Sequence, residues 1–245
     1  MKSLDDAAEP AARGDGKYPI DDFLALQEAT PARQARSEAT FRALIQAGSR
    51  ALDGGSLEKI SISEVCRAAG TSVGAFYGRF ENKEVFFTAI QQSAIADVWD
   101  GIQQMLNELD ARDAPAAEFL ESIATFWVRI YRDNRGLYLA AFKHASTRPG
   151  VWTPFKKLGW SGSALIAKTL ANRLPGGHDD LLVRQAMQFV NGLLVNATIN
   201  DPGPIHLDDP EMAGHVSRFL CLYLGVPAQA PVETGRSRAV RKARQ

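Results

Sequence analysis

Residues 60–84 read ISISEVCRAAGTSVGAFYGRFENKE, and this stretch carries the signals of two short helices joined by a glycine turn. Ser61 can cap the first helix, and Glu64, three residues later, completes a capping box. The helical spacing of one buried face is shown by Ile62, Val65, Cys66 and Ala69. Gly70 ends the helix, because glycine takes the left-handed backbone conformation at little steric cost. The pattern predicts a helix-turn-helix.

The second helix of the pair begins after Thr71 or Ser72, either of which can cap it. Phe76 and Phe80 lie one turn apart and are predicted to face the core. The opposite side carries small, hydroxylic, aromatic or basic side chains and no carboxylate: Ser72, Val73, Gly74, Tyr77 and Arg79. Since nothing there repels a phosphate backbone, this helix can lie in a major groove of DNA.

The same segment resembles the DNA-binding domain of the TetR (AcrR-type) family of bacterial regulators. The residues that match the family pattern are Ala69, Gly70, Ser72, Gly74, Tyr77, Phe80, Asn82, Lys83 and Glu84. The resemblance covers about residues 36–90, and the rest of the chain agrees in length and helical character. It implies a DNA-binding domain followed by helices between which a small effector binds.

Three features depart from the family pattern. Val73 stands where many members have a lysine, which removes one phosphate contact and offers methyl groups to a thymine. Gly78 stands where an aromatic residue or a histidine is usual, and glycine in a helix interior costs about 1 kcal/mol relative to alanine. The loop over residues 54–59 is slightly longer. We therefore expect a shifted sequence preference and a pliable second helix.

The predicted DNA-binding residues lie on the helix-turn-helix and its flanks: Arg36, Ser61, Thr71, Ser72, Val73, Gly74, Tyr77, Arg79 and Lys83. The resemblance implies that the Tyr77 hydroxyl meets a phosphate, with a half-buried aromatic residue as the alternative. It would also let Arg36 reach the DNA backbone or minor groove, with a solvated helix end as the alternative. Arg79 and Lys83 are ordinary surface charges if they do not contact DNA.

Length and charge distribution predict four regions. The 245 residues, 45% of them hydrophobic, suffice for a second domain after the DNA-binding unit. The formal net charge is zero, but the amino-terminal segment is acidic and the carboxy-terminal segment basic. A neutral total does not argue against DNA binding, because only one face must be positive. The regions are a disordered acidic arm at 1–29, a DNA-binding domain at 30–84, an effector-binding and dimerisation domain at 85–225, and a disordered basic tail at 226–245.

The fold class predicted for the chain is all-α. From Lys83 onward the helical periodicity is interrupted by glycine, proline and aspartate breaks, and no alternating strand pattern occurs. The predicted helices there cover about 83–109, 115–133, 135–146, 152–174, 179–199 and 209–224. A long first helix runs from Thr30-Pro31 to the Gly54-Gly55 stop. With the two helices of the helix-turn-helix, this gives about nine.

Aromatic residues are concentrated in the predicted helices between residues 83 and 174. Large rings packed with alanine and glycine tend to leave concave, mostly apolar space, although ordinary core packing is the alternative for each ring. The predicted effector pocket consists of Trp99, Phe119, Ile123, Trp127, Phe142, Trp152, Phe155, Met187 and Asn191. His144, Arg129 and Asn191 are candidate polar anchors. The lining favours a small, largely apolar effector.

The last two predicted helices carry more apolar surface than one intramolecular face requires. The predicted dimer interface consists of Phe189, Leu193, Met212, Val216, Phe219, Leu220 and Tyr223. Gly192 and Ala197 allow close backbone approach, so two copies of these helices can pack as a four-helix bundle about a two-fold axis. The sequence therefore predicts a homodimer.

Other classes of protein and site receive no support from the sequence. It shows no signal peptide and no apolar run of roughly 18 residues, so we expect a cytoplasmic protein without membrane contact. Cys66 and Cys221 lie in different predicted domains and are expected to be free, buried thiols. The histidines show no metal-ligand spacing. No metal and no cofactor is predicted.

These features together predict a ligand-responsive transcriptional repressor. As a homodimer it would place two recognition helices in successive major grooves of double-stranded DNA at a near-palindromic operator. An activator or co-regulator of the same fold is the alternative within this class. An all-α enzyme is the alternative from another class, but no nucleophile–base pair, phosphate loop or paired carboxylates are evident, and an enzyme is not predicted.

Overall fold

The computed structural model describes residues 31–174 and 180–227, without the side chains of residues 31–36 and 149. The regular secondary structure of this part of the chain consists of helices without strands, so the predicted all-α class is confirmed. Its nine α-helices are α1 Pro31–Ala51, α2 Ile62–Ala68, α3 Val73–Tyr77, α4 Lys83–Ala111, α5 Ala116–Asp133, α6 Arg135–Ala145, α7 Thr153–Leu170, α8 Asp180–Ile199 and α9 Met212–Tyr223. Short 3-10 turns follow α1 and precede α7, at Leu52–Gly54 and Pro149–Trp152. The acidic arm and nearly all of the basic tail lie outside the described residues.

A first hydrophobic core joins α1, α2, α3 and the start of α4. Its centre is a cluster of three rings, in which Phe76 lies 5.2 Å from Phe80 and 5.0 Å from Phe86 between centroids. Phe76 and Phe86 are fully buried, as is Leu44 of α1. Burial of each such side chain stabilises the folded state by about 1.5–3 kcal/mol. The helix-turn-helix is therefore fixed to the long helices by its own aromatic residues.

A second core joins the rest of α4 to α5, α7, α8 and α9. Helix α5 packs closely against α9, with Met212, Val216 and Leu220 buried in the contact. These three residues were predicted at the dimer interface, and that prediction is wrong, because their i, i+4, i+8 spacing faces α5 of the same chain. The α8–α9 connection is held by Arg132, whose Nε donates to the Leu207 carbonyl oxygen at 2.8 Å.

Helix α6 lies between the two cores. Leu137, Ala140 and Ala141 belong to the first core, whereas Tyr138 belongs to the second. At the start of α6, Gly136 packs against the turn after α1 so closely that a Cβ would lie 2.2 Å from the Leu52 carbonyl oxygen. Near its end, Lys143 donates to the Gly55 carbonyl oxygen at 2.9 Å. These two contacts attach α6 to the turn between α1 and α2.

The described residues contain neither a membrane-spanning helix nor a cluster of metal-binding side chains. None of their helices has the length and hydrophobicity needed to cross a membrane. Within residues 31–174 and 180–227, no group of three or more His, Cys, Asp or Glu side chains is placed to hold a metal ion. Both cysteines are buried, and burial raises the pKa of each thiol above its usual value.

Gly136→Ala is expected to lower the free energy of unfolding by about 1–3 kcal/mol, the usual cost of overpacking. The added methyl group would overlap the Leu52 backbone, which cannot rotate away as a flexible side chain could. Denaturant unfolding measures the effect. Gly214→Ala in α9 is the matched control, because a Cβ there meets nothing within 4 Å. We expect the control to be neutral or up to about 1 kcal/mol more stable. Equal stability of both variants would contradict the close contact.

Candidate DNA-binding surface and ligand cavity

The helix-turn-helix is capped at both of its helices. Ser61 Oγ accepts the backbone N–H of Glu64 at 3.4 Å, and Ser72 Oγ accepts that of Ala75 at 3.1 Å. Of the two predicted caps for α3, Ser72 is therefore the one used. Between the helices Gly70 has φ +64°, the left-handed conformation that its position required. The sharp turn sets α3 across α2 with a defined side facing solvent.

The solvent side of α3 is open along its whole length. Ser72, Val73, Gly74, Tyr77 and Arg79 are all exposed. The Tyr77 side chain is 55% exposed and Val73 is 42% exposed. The Tyr77 ring contacts Phe76 edge-on, with 5.2 Å between the ring centroids. The surface therefore has the composition predicted for a groove-binding helix, with methyl, hydroxyl, phenol and guanidinium groups.

Helix α3 is shorter than expected. It has five residues, and Gly78 is its C-terminal cap with φ −70°. The expectation that Gly78 lies near the middle of a pliable helix is therefore wrong. At a helix end, glycine carries no interior propensity cost, and its N–H donates to the Gly74 carbonyl oxygen at 3.0 Å.

The remaining predicted DNA-binding residues flank α3. Lys83 begins α4, and its Nζ donates to the Glu58 carbonyl oxygen at 3.3 Å without an ion pair among the described residues. Its charge therefore stays unneutralised beside the exposed surface. The Ser61 hydroxyl is occupied by its cap and by Ser63 Oγ at 2.9 Å, and Thr71 is half-buried. The side chain of Arg36 lies outside the described residues.

A cavity of about 810 Å³ lies between α4, α5, α6, α7 and α8. This volume falls within the usual range for small-molecule sites, about 300–1,000 Å³. Five of the predicted pocket residues line it: Trp127, Phe142, Trp152, Phe155 and Asn191. Four do not: Phe119, Ile123 and Met187 are fully buried in the second core, and Trp99 is half-buried outside the lining. For those four the pocket prediction is wrong: core packing accounts for Phe119, Ile123 and Met187, whereas Trp99 belongs to neither core and lies outside the lining.

The inner wall of the cavity is a stack of aromatic rings. Tyr131 and Tyr138 lie parallel at 4.6 Å between centroids, and Phe155 lies 5.0 Å from Tyr138. Burial raises the pKa of both tyrosine hydroxyls, so they stay protonated at neutral pH. The Tyr131 hydroxyl donates to Asn191 Oδ1 at 3.4 Å. The wall is thus apolar, with a few fixed polar groups.

The polar lining comes mainly from one stripe of α8, of which only Asn191 was predicted. Arg184, Gln188 and Asn191 follow the i, i+4, i+7 spacing of one helix face, and all three border the cavity. This spacing is readable in the sequence once Asn191 is taken as a starting point. Of the other two candidate anchors, Arg129 lies over the Phe126 ring and His144 against the Phe87 ring, both outside the lining.

An aromatic surface cluster lies on the outer side of α8 and α9. The Phe189 ring contacts Phe219 at 6.1 Å and Tyr223 at 5.5 Å between centroids. Phe189 is 56% exposed, and the exposed Leu193 lies on the same helix. These four are the predicted interface residues that do lie at the surface. Leu222 of α9, 75% exposed, was not predicted.

Comparison with known proteins supports the resemblance drawn from the helix-turn-helix. Residues 44–90 match the model of the family described as bacterial regulatory proteins, tetR family. No curated protein shows significant sequence similarity to the chain. The match includes α2, α3 and the start of α4, so the predicted TetR/AcrR resemblance is confirmed on the segment that carried it.

Solved structures share the fold over most of the chain at low sequence identity. A putative TetR-family transcriptional regulator from Mesorhizobium loti aligns with TM-score 0.65 and 19% identity over 78% of this chain and 98% of its own. A TetR/AcrR-family regulator from Aquifex aeolicus gives 0.53 and 14% over 75% and 98%. The fatty acid degradation regulator FadR from Bacillus halodurans gives 0.51 and 17% over 83% and 100%. The protein thus has the fold of TetR-type transcriptional regulators, and a DNA-binding regulator is supported.

Tyr77→Phe is expected to weaken DNA binding about 2- to 10-fold, because it removes one hydroxyl that can donate to a phosphate.

Lys83→Ala should lower affinity for all sequences alike and reduce the salt slope of binding by about 1. Fluorescence anisotropy at several salt concentrations measures both. Lys168→Ala is the matched control, because Lys168 is an exposed cation on α7, a helix of the second core that lies outside the DNA-binding unit. If neither variant differs from this control, the DNA-contact assignment is wrong.

Proposed function

We propose that the protein is a transcriptional repressor that acts as a homodimer and is released from its operator by a small, largely apolar effector. In this proposal residues 30–84 bind DNA and residues 85–225 bind the effector and form the dimer. The observation that carries the proposal is the position of α6, which contacts the turn between α1 and α2 on one side and contributes to the cavity on the other.

The DNA-binding part rests on the open side of α3. Its exposed groups include no carboxylate, and the unneutralised ammonium of Lys83 stands at the adjoining start of α4. Phosphate contacts fix the position of such a protein on the duplex, and contacts to base edges give sequence preference. We assign Tyr77 and Lys83 to phosphate contacts and Val73 to a thymine methyl group.

Dimerisation rests on the aromatic surface cluster of Phe189, Phe219 and Tyr223 with Leu193 and Leu222. Contiguous exposed apolar surface on a helix pair marks an interaction site. A two-fold pairing of α8 and α9 with the same helices of a second copy would bury this cluster. It would also give two copies of α3, as a near-palindromic operator requires.

Effector control requires a physical link between cavity and DNA-binding surface, and two links are present. Helix α6 places Tyr138 and Phe142 at the cavity while Gly136 and Lys143 contact the turn after α1. The second link is Gln91 of α4, a side chain only 2% exposed. Its Nε2 donates to the Val151 carbonyl oxygen at 2.8 Å, directly before the cavity residue Trp152.

Release then follows from a difference in effector affinity between two arrangements of these links. An effector shifts the equilibrium only as far as it prefers one arrangement, and typical coupling is about 1–3 kcal/mol, or roughly 5- to 150-fold.

Selection of bound sequences from a random DNA pool identifies the operator, and titration of that complex with aromatic and acyl compounds tests release. A protein that retains no DNA sequence under these conditions would refute the proposal. A transcription assay with the operator distinguishes repression from activation.

Phe189→Glu should convert the dimer to a monomer, because it places a carboxylate in the centre of the aromatic surface cluster. The exposed position of Phe189 means that the fold of each chain should survive. Light scattering at micromolar concentration measures the change. Val85→Glu is the control, an equivalent substitution at a site of α4 that is 42% exposed and outside the cluster. A parent protein that is itself monomeric would refute the dimer.

Gln91→Leu should weaken the coupling between effector and operator while leaving each separate affinity nearly unchanged. The substitution keeps a side chain of similar size but removes the hydrogen bond to Val151. We expect the factor by which an effector lowers operator affinity to fall by about 2- to 10-fold, the value of one hydrogen bond. Operator binding with and without a releasing compound gives this factor. An unchanged factor would exclude Gln91 from the link.

A further inference from the structure

We propose that the cavity selects amphiphilic monocarboxylates, compounds with an apolar aryl or acyl body and one ionised acid group. This inference rests on the proposed function, because it names the chemical class of the effector. The proposed function names only a largely apolar effector. Here the effector also carries one negative charge, and the guanidinium of Arg184 is the group that binds it.

The first observation is a pair of buried hydrogen-bond donors at the same cavity. Arg184 Nη2 and Trp127 Nε1 are both buried without a hydrogen-bond partner, and both residues line the cavity. Such atoms are rare, because an unmet buried donor costs about 1–3 kcal/mol and more when it is charged. A guanidinium and an indole N–H can only donate. Any group of a bound molecule that pairs with either donor must therefore be an acceptor.

The second observation is the charge of the lining. Two of its side chains, Lys156 and Arg184, are cationic, and no aspartate or glutamate is among its described residues. Arg184 has no ion pair within the described part of the chain, and its Cζ lies 3.5 Å from the centroid of the Trp160 ring. A guanidinium stays protonated in proteins, so its charge is not removed by deprotonation. A carboxylate would supply both the acceptor atoms and the opposite charge.

The third observation is the division of the cavity into a polar face and an apolar face. The polar face is the α8 stripe of Arg184, Gln188 and Asn191. The apolar face is the aromatic wall that includes Tyr138 and Phe155. A wholly polar anion would leave the wall without a partner, and a hydrocarbon would leave the donors unmet. An amphiphile satisfies both faces.

The test compares matched acids and neutral analogues on the full-length protein by isothermal titration calorimetry without DNA. The pairs are dodecanoate against dodecanol and 4-phenylbutanoate against 4-phenylbutanamide. We expect at least one acid to bind about 10- to 100-fold more tightly than its neutral analogue, the value of a hydrogen bond to a charged group. Equal binding within both pairs, or no binding by any of the four compounds, would overturn the inference.

Two variants assign the acid group. Arg184→Met keeps the length of the side chain, and it should abolish the preference for the acid while leaving binding of the neutral analogue unchanged. Arg184→Lys keeps the charge and should retain most of the preference, which distinguishes lost charge from lost folding. Lys168→Met removes an exposed cation of α7 outside the lining and should change nothing. A preference that survives in Arg184→Met, or disappears only in Lys156→Met, would overturn the assignment.

The failure of this inference is distinguishable from the failure of the proposed function. Binding of the acids is measured without DNA, so a protein with no operator can still show the preference. Conversely, release of the operator by dodecanol as readily as by dodecanoate would leave the repressor proposal standing and overturn the inference about charge.

Discussion

The two hydrophobic cores are joined by α4, which runs through both, and by α6, whose start is in close backbone contact with the turn that follows α1. At Gly136 the helix lies so near the Leu52 carbonyl oxygen that no side chain fits between them. A contact of this kind is steric and short-ranged, and close-packed protein interiors respond to such contacts by switching between arrangements rather than by gradual deformation. The same helix that contributes Tyr138 and Phe142 to the wall of the cavity is therefore fixed against the turn after α1.

Local features of the helix-turn-helix could be predicted from the sequence because each depends on neighbouring residues alone. The caps at Ser61 and Ser72 and the left-handed turn at Gly70 are of this kind. The length of α3 could not be predicted, because Gly78 can stand either inside a helix or at its end. In the structure Gly78 lies at the C-terminal end of α3, and the chain after it turns so that Phe80 is buried.

The sequence could predict how much of α8 and α9 is apolar but not which neighbour covers each side. In α9, Val216 faces α5 while Phe219, three residues later, is part of the aromatic surface cluster. Both belong to one stripe in the sequence, so separating them requires the position of α5. The cavity has the same difficulty: Trp127 borders it, whereas Ile123, one turn earlier, is enclosed by core. Whether an apolar residue lines the cavity or fills the core depends on how the helices pack against one another.

Helix α3 has only five residues and depends on the core beneath it for its shape. A helix of that length does not hold its shape alone in water, and Phe76 fixes it from beneath. The outward side chains, Val73 and Tyr77 among them, contribute little to that support. Exchanges at such exposed positions usually alter stability by less than about 0.5 kcal/mol. In the proposed function, the DNA sequence that α3 prefers can therefore change through such exchanges while the architecture stays constant.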